Sequence, residues 1–341
     1  MGPDRLSDYD FFLPEDRIAQ TPLADRAASR MLHVARESGV VTHRVFRDFP
    51  DLLQAGDLLI LNNTRVTATR LFGKKANSGG EVELLLMGNG PAPGTFRAMV
   101  RPAKRLKVGA EIALPDGYCA RVIDELADGH RMLEFAPLEG LPEWLQTHGQ
   151  VPLPPYIHTK LQEAERYQTV YSAVGGSAAA PTAGLHFTPQ ILTQIEERGV
   201  GIAFVTLNVG LDTFRPISSE NLDEHPMHGE WCEVPEATAQ AVAHCQGRVI
   251  AVGTTSCRTL ESASLGPRVL QTTPQETKLF IRPGYVYKTV DGLLTNFHMP
   301  RTTMLLMLAA LVGREPLLEA YASAIAEQYR FLSFGDSMLI L

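Results

Sequence analysis

Between residues 65 and 136 the chain cannot be read as helix. Apolar runs at 66–72, 81–87, 95–100, 111–114, 118–124 and 131–135 recur every 10–18 residues. Turn-formers separate them: Ser78-Gly79-Gly80, Gly88-Asn89-Gly90, Pro115-Asp116-Gly117 and Asp128-Gly129. Short strands at such regular spacing predict a small antiparallel barrel, which closes its own edges. The segment also departs from the rest of the chain in charge. The 341 residues carry a formal −7, yet residues 58–107 hold nine Lys and Arg against two acids. A basic stretch inside an acidic protein points to a polyanionic partner. Arg101, Lys104, Arg105 and Lys107 are its densest part, and Lys74 and Lys75 lie in the same segment.

The flanking sequence has a different period. Arg30–Arg36 and Val40–Phe46 read as strands around the Ser38-Gly39 turn, and residues 57–61 as an apolar strand entering Asn62-Asn63-Thr64-Arg65. Thr188, Pro189 and Gly199 bracket a helix by the rules of capping. A strand follows at 200–207, a helix at 235–246 and a strand at 248–252. Helices at 302–312 and 316–329 and a strand at 337–341 complete the chain. In the last helix Leu318, Tyr321, Ile325 and Tyr329 share a face. The expected fold is a mixed α/β body made of residues 1–64 and 151–341, with the β-barrel inserted over 65–150.

Four dispersed cysteines give neither a disulfide framework nor a zinc spacing, so a reducing cytosol is the expected compartment. The N-terminus, with Asp4, Arg5, Asp8 and Asp10, has no signal-peptide core. The densest apolar run, 302–313, is shorter than the roughly 20 residues of a membrane span. Phosphate-loop, dinucleotide, nucleophile-elbow and zinc-protease fingerprints are absent.

Several clusters could carry chemistry. Residues 166–188 contain one charge, Arg166, among small residues that let a backbone approach a ligand closely. Tyr167 and Tyr171 could stack on a base there, and His186 could move a proton. His225, His228 and Glu230 offer metal-type ligands, but Pro226 interrupts the helix that would present them. Thr254, Thr255, Ser256 and Arg258 follow an apolar strand and open a helix, an arrangement suited to an anion. Asn62, Asn63 and Arg65 end a strand at the domain junction, while Asn296 and His298 offer an amide and a proton carrier.

The strings RPAKRLK, LPPY, RYQTVY, AAPTAGLHF, VTLNVG, MHGE, RVIAVGTTSCRTLES, LFIRPGY, TNFHMP and YRFLSFGDSMLI occur in this order. With DYDFFLP, IAQTPLADRAASRML and GDLLILNNTRV before them, the chain closely resembles the S-adenosylmethionine:tRNA ribosyltransferase-isomerase family of the bacterial queuosine pathway. The resemblance implies an α/β body forming a flattened barrel, with a small β-barrel inserted after the Asn62-Asn63 strand. It implies transfer of the ribosyl group of S-adenosylmethionine to the 7-aminomethyl-7-deazaguanine wobble base of tRNA, giving epoxyqueuosine and releasing adenine and methionine. S-adenosylmethionine would be a co-substrate; no metal or other cofactor is implied, and the expected state is a cytoplasmic monomer.

Such chemistry needs proton transfer, for which His186, His228, Glu230, His298 and Asp212 are candidates. Thr254, Thr255, Ser256 and Arg258 would meet the methionine carboxylate. Arg166, Tyr167, Gln168, Tyr171, Thr182 and Gly184, with Asn62, Asn63, Arg65, Asn208 and Asn296, would line the substrates. Lys74, Lys75, Arg101, Lys104, Arg105 and Lys107 would meet tRNA. Two positions depart from the family pattern: Asn208 stands where histidine is usual, and Asp212 where glycine often stands. Two rival readings are a non-catalytic RNA-binding paralogue and a zinc hydrolase using His225, His228 and Glu230.

Overall fold

The computed structural model describes residues 5–341 apart from 128, 211–216, 218 and 228. The chain divides into two compact units, one of residues 1–64, 154–174 and 180–341, the other of residues 65–153 and 175–179.

The first unit is built on a nine-stranded mixed sheet. Its strand order is Gln275–Thr277, Glu230–Glu233, Gly201–Leu207, Leu58–Asn62, Val249–Val252, Gly292–Asn296, Ser337–Ile340, Arg30–Val34 and Val41–Val45. The four strands from Gly201–Leu207 to Gly292–Asn296 are mutually parallel. Parallel strands are covered on both faces and therefore read as unbroken apolar runs. Residues 58–62 and 249–252 are buried throughout. Their side chains divide with period two. Leu58, Ile60, Val249 and Ala251 enter a core with Leu305, Leu308, Leu317 and Tyr321. Leu59, Leu61, Ile250 and Val252 enter another with Phe46, Phe49, Phe187 and Ile191.

Helix Pro189–Glu197 starts as its sequence directs, with Thr188 Oγ1 accepting from Ile191 N at 3.2 Å. In the last helix, Arg314–Ala326, the buried residues are Leu317, Ala320, Tyr321 and Ala324. The expected stripe through Leu318 and Ile325 is therefore rotated. Apolar residues lie on several sides of this helix, and its packing against Thr303–Val312 selects the face. Tyr329 lies beyond the helix end.

The second unit holds the closed barrel, in the order Arg131–Ala136, Thr95–Arg101, Glu81–Asn89, Thr69–Lys75, Glu111–Ala113 and Cys119–Glu125. The strand expected at 66–72 runs instead from Thr69 to Lys75. Gly73 explains its far end: a Cβ there would sit 2.7 Å from the Ala113 carbonyl oxygen, so glycine permits the close pairing. A helix the sequence reading did not anticipate, Leu141–His148, buries Leu141 and Trp144 in the barrel core. Over residues 65–153 eleven Lys and Arg are offset by ten Asp and Glu. The positive charge thus belongs to the first half of this unit and not to the unit as a whole.

Candidate functional site

The four parallel strands deliver their carboxyl ends to one edge of the sheet, the usual place for a ligand in an open α/β sheet. At that edge stand Asn62, Asn208, Gly253-Thr254-Thr255 and Asn296-Phe297-His298. Beside it lies a cavity of 410 Å³, inside the range of about 300–1,000 Å³ common for small-molecule sites. Its wall includes Tyr156, Thr182, Val209, Thr254, Thr255 and Thr295, together with Asn296, His298, Met299, Met304 and Ser333. No Asp, Glu, Lys or Arg lines it among the described residues.

The helix Gly253–Ala263 opens directly on this wall. Gly253 has φ +87°, a conformation that lets the strand turn straight into the helix. No side chain caps the first turn. Ser256 is occupied, its hydroxyl donating to the Val252 carbonyl at 2.8 Å. Thr255 Oγ1 is buried and has no hydrogen-bond partner.

Arg258, expected to meet a carboxylate, is already engaged. It donates to Glu230 Oε2 at 2.6 Å and to the Thr277 carbonyl at 3.1 Å. Both partners of the ion pair are almost completely buried. Glu230 also accepts from Gly210 N at 3.2 Å. The pair joins strand Glu230–Glu233 to the helix.

His186 does not line this cavity. Its Nδ1 is 2.8 Å from Ser29 Oγ and its Nε2 is 3.3 Å from Asn296 Nδ2. Asn296 Nδ2 also donates to the Leu332 carbonyl at 3.1 Å, which fixes the orientation of the amide. An amide nitrogen only donates, so His186 Nε2 accepts and the ring proton is assigned to Nδ1. Burial, with the nearby charges of Arg26 and Arg330, pushes its imidazole down to about 3. The ring is a neutral wedge against Phe46. Asn296 is 3% exposed, and its Oδ1 has no partner.

His298 is half-buried and does line the cavity. Its Nε2 lies 3.0 Å from Thr295 Oγ1, and its backbone N–H donates to the Tyr321 hydroxyl at 3.0 Å. Burial pushes its imidazole down to about 3 as well. Tyr156 shares a hydrogen bond of 2.7 Å with Ser333 Oγ, and burial raises its phenol to about 12.

The remaining candidates divide between scaffold and surface. Asn62 is a clip, accepting from Leu207 N and Thr64 N and donating to the Leu207 carbonyl, all at 3.1 Å. Asn63 Oδ1 accepts from Thr206 Oγ1 at 2.8 Å. Asn208 Oδ1 accepts from Thr64 Oγ1 at 3.1 Å. Arg166 donates to the carbonyls of Leu23 and Ala24.

Tyr167 and Gln168 are buried, and Tyr171 packs on Phe187 and Phe204. Neither ring lines the cavity as a stacking platform. Gly184 is small because the Tyr171 hydroxyl occupies the space a Cβ would need. In the second unit Arg65 is half-buried. Lys74, Arg101, Lys104, Arg105 and Lys107 are exposed there, and Lys75 donates to the Arg105 carbonyl at 3.0 Å.

His228 and Asp212 lie outside the described residues. Among those described, no group of three or more His, Cys, Asp and Glu side chains could hold a metal ion. Sequence reasoning missed Tyr156, Thr295, Met299, Met304 and Ser333. Their signal was faint: each sits in or beside a recognisable string, but an apolar or hydroxyl residue announces no chemistry.

An uncharged pocket at the carboxyl ends of parallel strands, opened by an uncapped helix, defines an α/β protein that binds a small molecule. The family described as "Queuosine biosynthesis protein" matches residues 6–340. The S-adenosylmethionine:tRNA ribosyltransferase-isomerase of Desulfitobacterium hafniense is 47% identical over 341 residues, 99% of this chain and 100% of that protein. The crystal structure of an S-adenosylmethionine tRNA ribosyltransferase from Thermotoga maritima is similar, with a TM-score of 0.56 and 32% identity. That match covers 98% of this chain and 100% of the other. The chain belongs to the queuosine biosynthesis protein family.

Proposed function

We propose that this protein is an S-adenosylmethionine:tRNA ribosyltransferase-isomerase. It moves the ribosyl group of S-adenosylmethionine onto the 7-aminomethyl-7-deazaguanine base of tRNA, forming epoxyqueuosine with loss of adenine and methionine. The observation that carries this reading is end-to-end similarity, 47% identity across 99% of the chain, to a protein of that activity.

The cavity suits the reaction. The C5′ hydrogens beside a sulfonium are acidic, and a base removes one. Adenine then leaves the ribose, the aminomethyl nitrogen attacks, and the epoxide closes as methionine departs. His158 and His298 are the described imidazoles on the cavity wall; His298 is the base in this reading, its ring neutral in the buried site though its basicity is lowered there. Apolar walls exclude the water that would intercept a reactive intermediate. Thr254 and the first turn of helix Gly253–Ala263 meet the methionine carboxylate in place of Arg258. Asn208 presents an amide where the family usually has histidine, and its role is hydrogen bonding.

Lys104, Arg105 and Lys107, with Lys74, Lys75 and Arg101, contact tRNA phosphates. The protein works as a cytoplasmic monomer. Its four cysteines are free, and no helix among the described residues is long and apolar enough to cross a membrane.

The test is isotopic. Ribose-labelled S-adenosylmethionine should transfer its label to tRNA carrying the aminomethyl base, and methyl-labelled donor should not. Methyl label in the tRNA would refute the assignment.

A further inference from the structure

Phe72 breaks the pattern of its strand. Along Thr69–Lys75 alternate side chains point to opposite faces, and Leu71 packs in the barrel core. The outward set is Arg70, Phe72 and Lys74, two cations around an aromatic ring that is 53% exposed. A single exposed apolar side chain is ordinary. The surroundings of this one are not.

Phe72 pairs with Glu83 on the neighbouring strand, and Glu83 pairs with Arg101 on the strand beyond. Side chains directly opposite stand about 5 Å apart. Ring, carboxylate and guanidinium therefore form one row across the outside of the barrel, with Lys74 opposite Glu81 alongside. Pro102, Leu114 and Pro115 add apolar wall to the same groove, which has a volume of 1010 Å³.

The charges on this lining cancel. Two cations, Lys74 and Arg101, meet two acids, Glu81 and Glu83. Glu83 Oε1 lies 2.9 Å from Arg70 Nε, and its Oε2 lies 3.9 Å from Arg101 Nη1. The surplus positive charge is at the edge. The turn Ala103–Arg105 follows Pro102 directly, and Lys75 Nζ holds it by donating to the Arg105 carbonyl at 3.0 Å. Lys104 and Arg105 are exposed on that turn. A near-neutral floor with an open aromatic ring, beside a basic edge, matches the two parts of a nucleotide: a flat uncharged base and a phosphate. Sites for unpaired nucleic acid combine these two features. An apolar protein segment would use the floor and leave the basic edge without a counterpart.

We infer that this groove binds an unpaired nucleotide of tRNA, its base stacked on Phe72 and its phosphate on Lys104 and Arg105. The inference rests on the proposed tRNA substrate and adds a stacking site to the phosphate contacts. Every base has a π-face, so the groove contributes affinity more than sequence choice.

The test is binding of tRNA to the full chain at several salt concentrations. Phe72→Ala should weaken binding by about 5- to 150-fold, the loss of one stacked base. Its salt slope should be unchanged, because no phosphate contact is removed. Phe72→Trp should keep most of the affinity, and tRNA should quench its added indole fluorescence. S-adenosylmethionine affinity should be the same in both variants as in wild type, which also reports that they are folded. Unchanged tRNA affinity in Phe72→Ala would overturn the stack and leave the functional reading intact, whether or not self-association is lost. So would a loss of affinity with a flattened salt slope, or Phe72→Trp fluorescence that tRNA does not quench beyond wild type. Failure of wild type to bind tRNA would overturn both readings.

Discussion

At the scale of single residues, His186 and His298 separate by what they touch. His298 faces the cavity, whereas His186 is wedged between Ser29 and Asn296. Single-turnover rates should therefore fall about 100-fold or more in His298→Ala, the ordinary worth of a general base. Asn208→His should change turnover by less than about tenfold, because the present amide already serves as a hydrogen-bonding group held by Thr64. A hundredfold gain from Asn208→His would make the family histidine the base instead.

The pH dependence of stability includes a contribution from His186, with His298 shifted in the same direction. The folded pKa of His186, about 3, lies below the ordinary 6.5 of the unfolded chain. The unfolded state therefore binds more protons between those values, and stability falls as pH drops through that window. At pH 5 the loss from this group is about 2 kcal/mol. Urea unfolding of wild type and His186→Gln at pH 7 and pH 5 should show the variant losing less on acidification. Parallel curves would contradict a neutral buried ring.

At the scale of elements, helix Gly253–Ala263 is fixed to strand Glu230–Glu233 by the Arg258–Glu230 pair. Both groups are out of water, so removing one leaves the other buried and uncompensated, at about 3–5 kcal/mol. Glu230→Gln should lower the unfolding free energy by that amount, measured by urea titration. Replacing both residues with methionine should recover much of the loss. A neutral single substitution would mean the pair is not desolvated.

The elements themselves were legible because strand ends and helix starts have local signatures. Thr188-Pro189 predicted a cap that is present, and the run after Gly253 predicted a helix that begins there. Partnership was not legible. Arg258 reads as an anion ligand until a strand some 28 residues earlier brings Glu230 to it. Tyr167 and Tyr171 read as stacking platforms until Phe334, Phe187 and Phe204 close over them. Helix Leu141–His148 was missed because its αL cap, Gly140, looks in sequence like one more barrel turn.

At the scale of the whole molecule, the proposed function assigns the two substrates to different units. The near balance of charge over 65–153 narrows any phosphate contact to the cations before residue 108. Charge reversal at Lys104 and Arg105 should weaken tRNA binding and reduce the salt slope by about one unit per lost contact. Filter binding at several salt concentrations measures this. S-adenosylmethionine affinity should stay within about twofold, since the cavity residues belong to the other unit. An unchanged slope would move the tRNA surface elsewhere.

The central claim is that this chain uses S-adenosylmethionine as a ribosyl donor. The most direct measurement is a single incubation with S-adenosylmethionine and tRNA bearing the aminomethyl-deazaguanine base, in EDTA. Released adenine is counted while the tRNA is digested for nucleoside mass analysis. The account predicts one adenine released for each epoxyqueuosine formed. Modified base without adenine, a methyl-sized mass gain, or activity lost in EDTA and restored by zinc would contradict it.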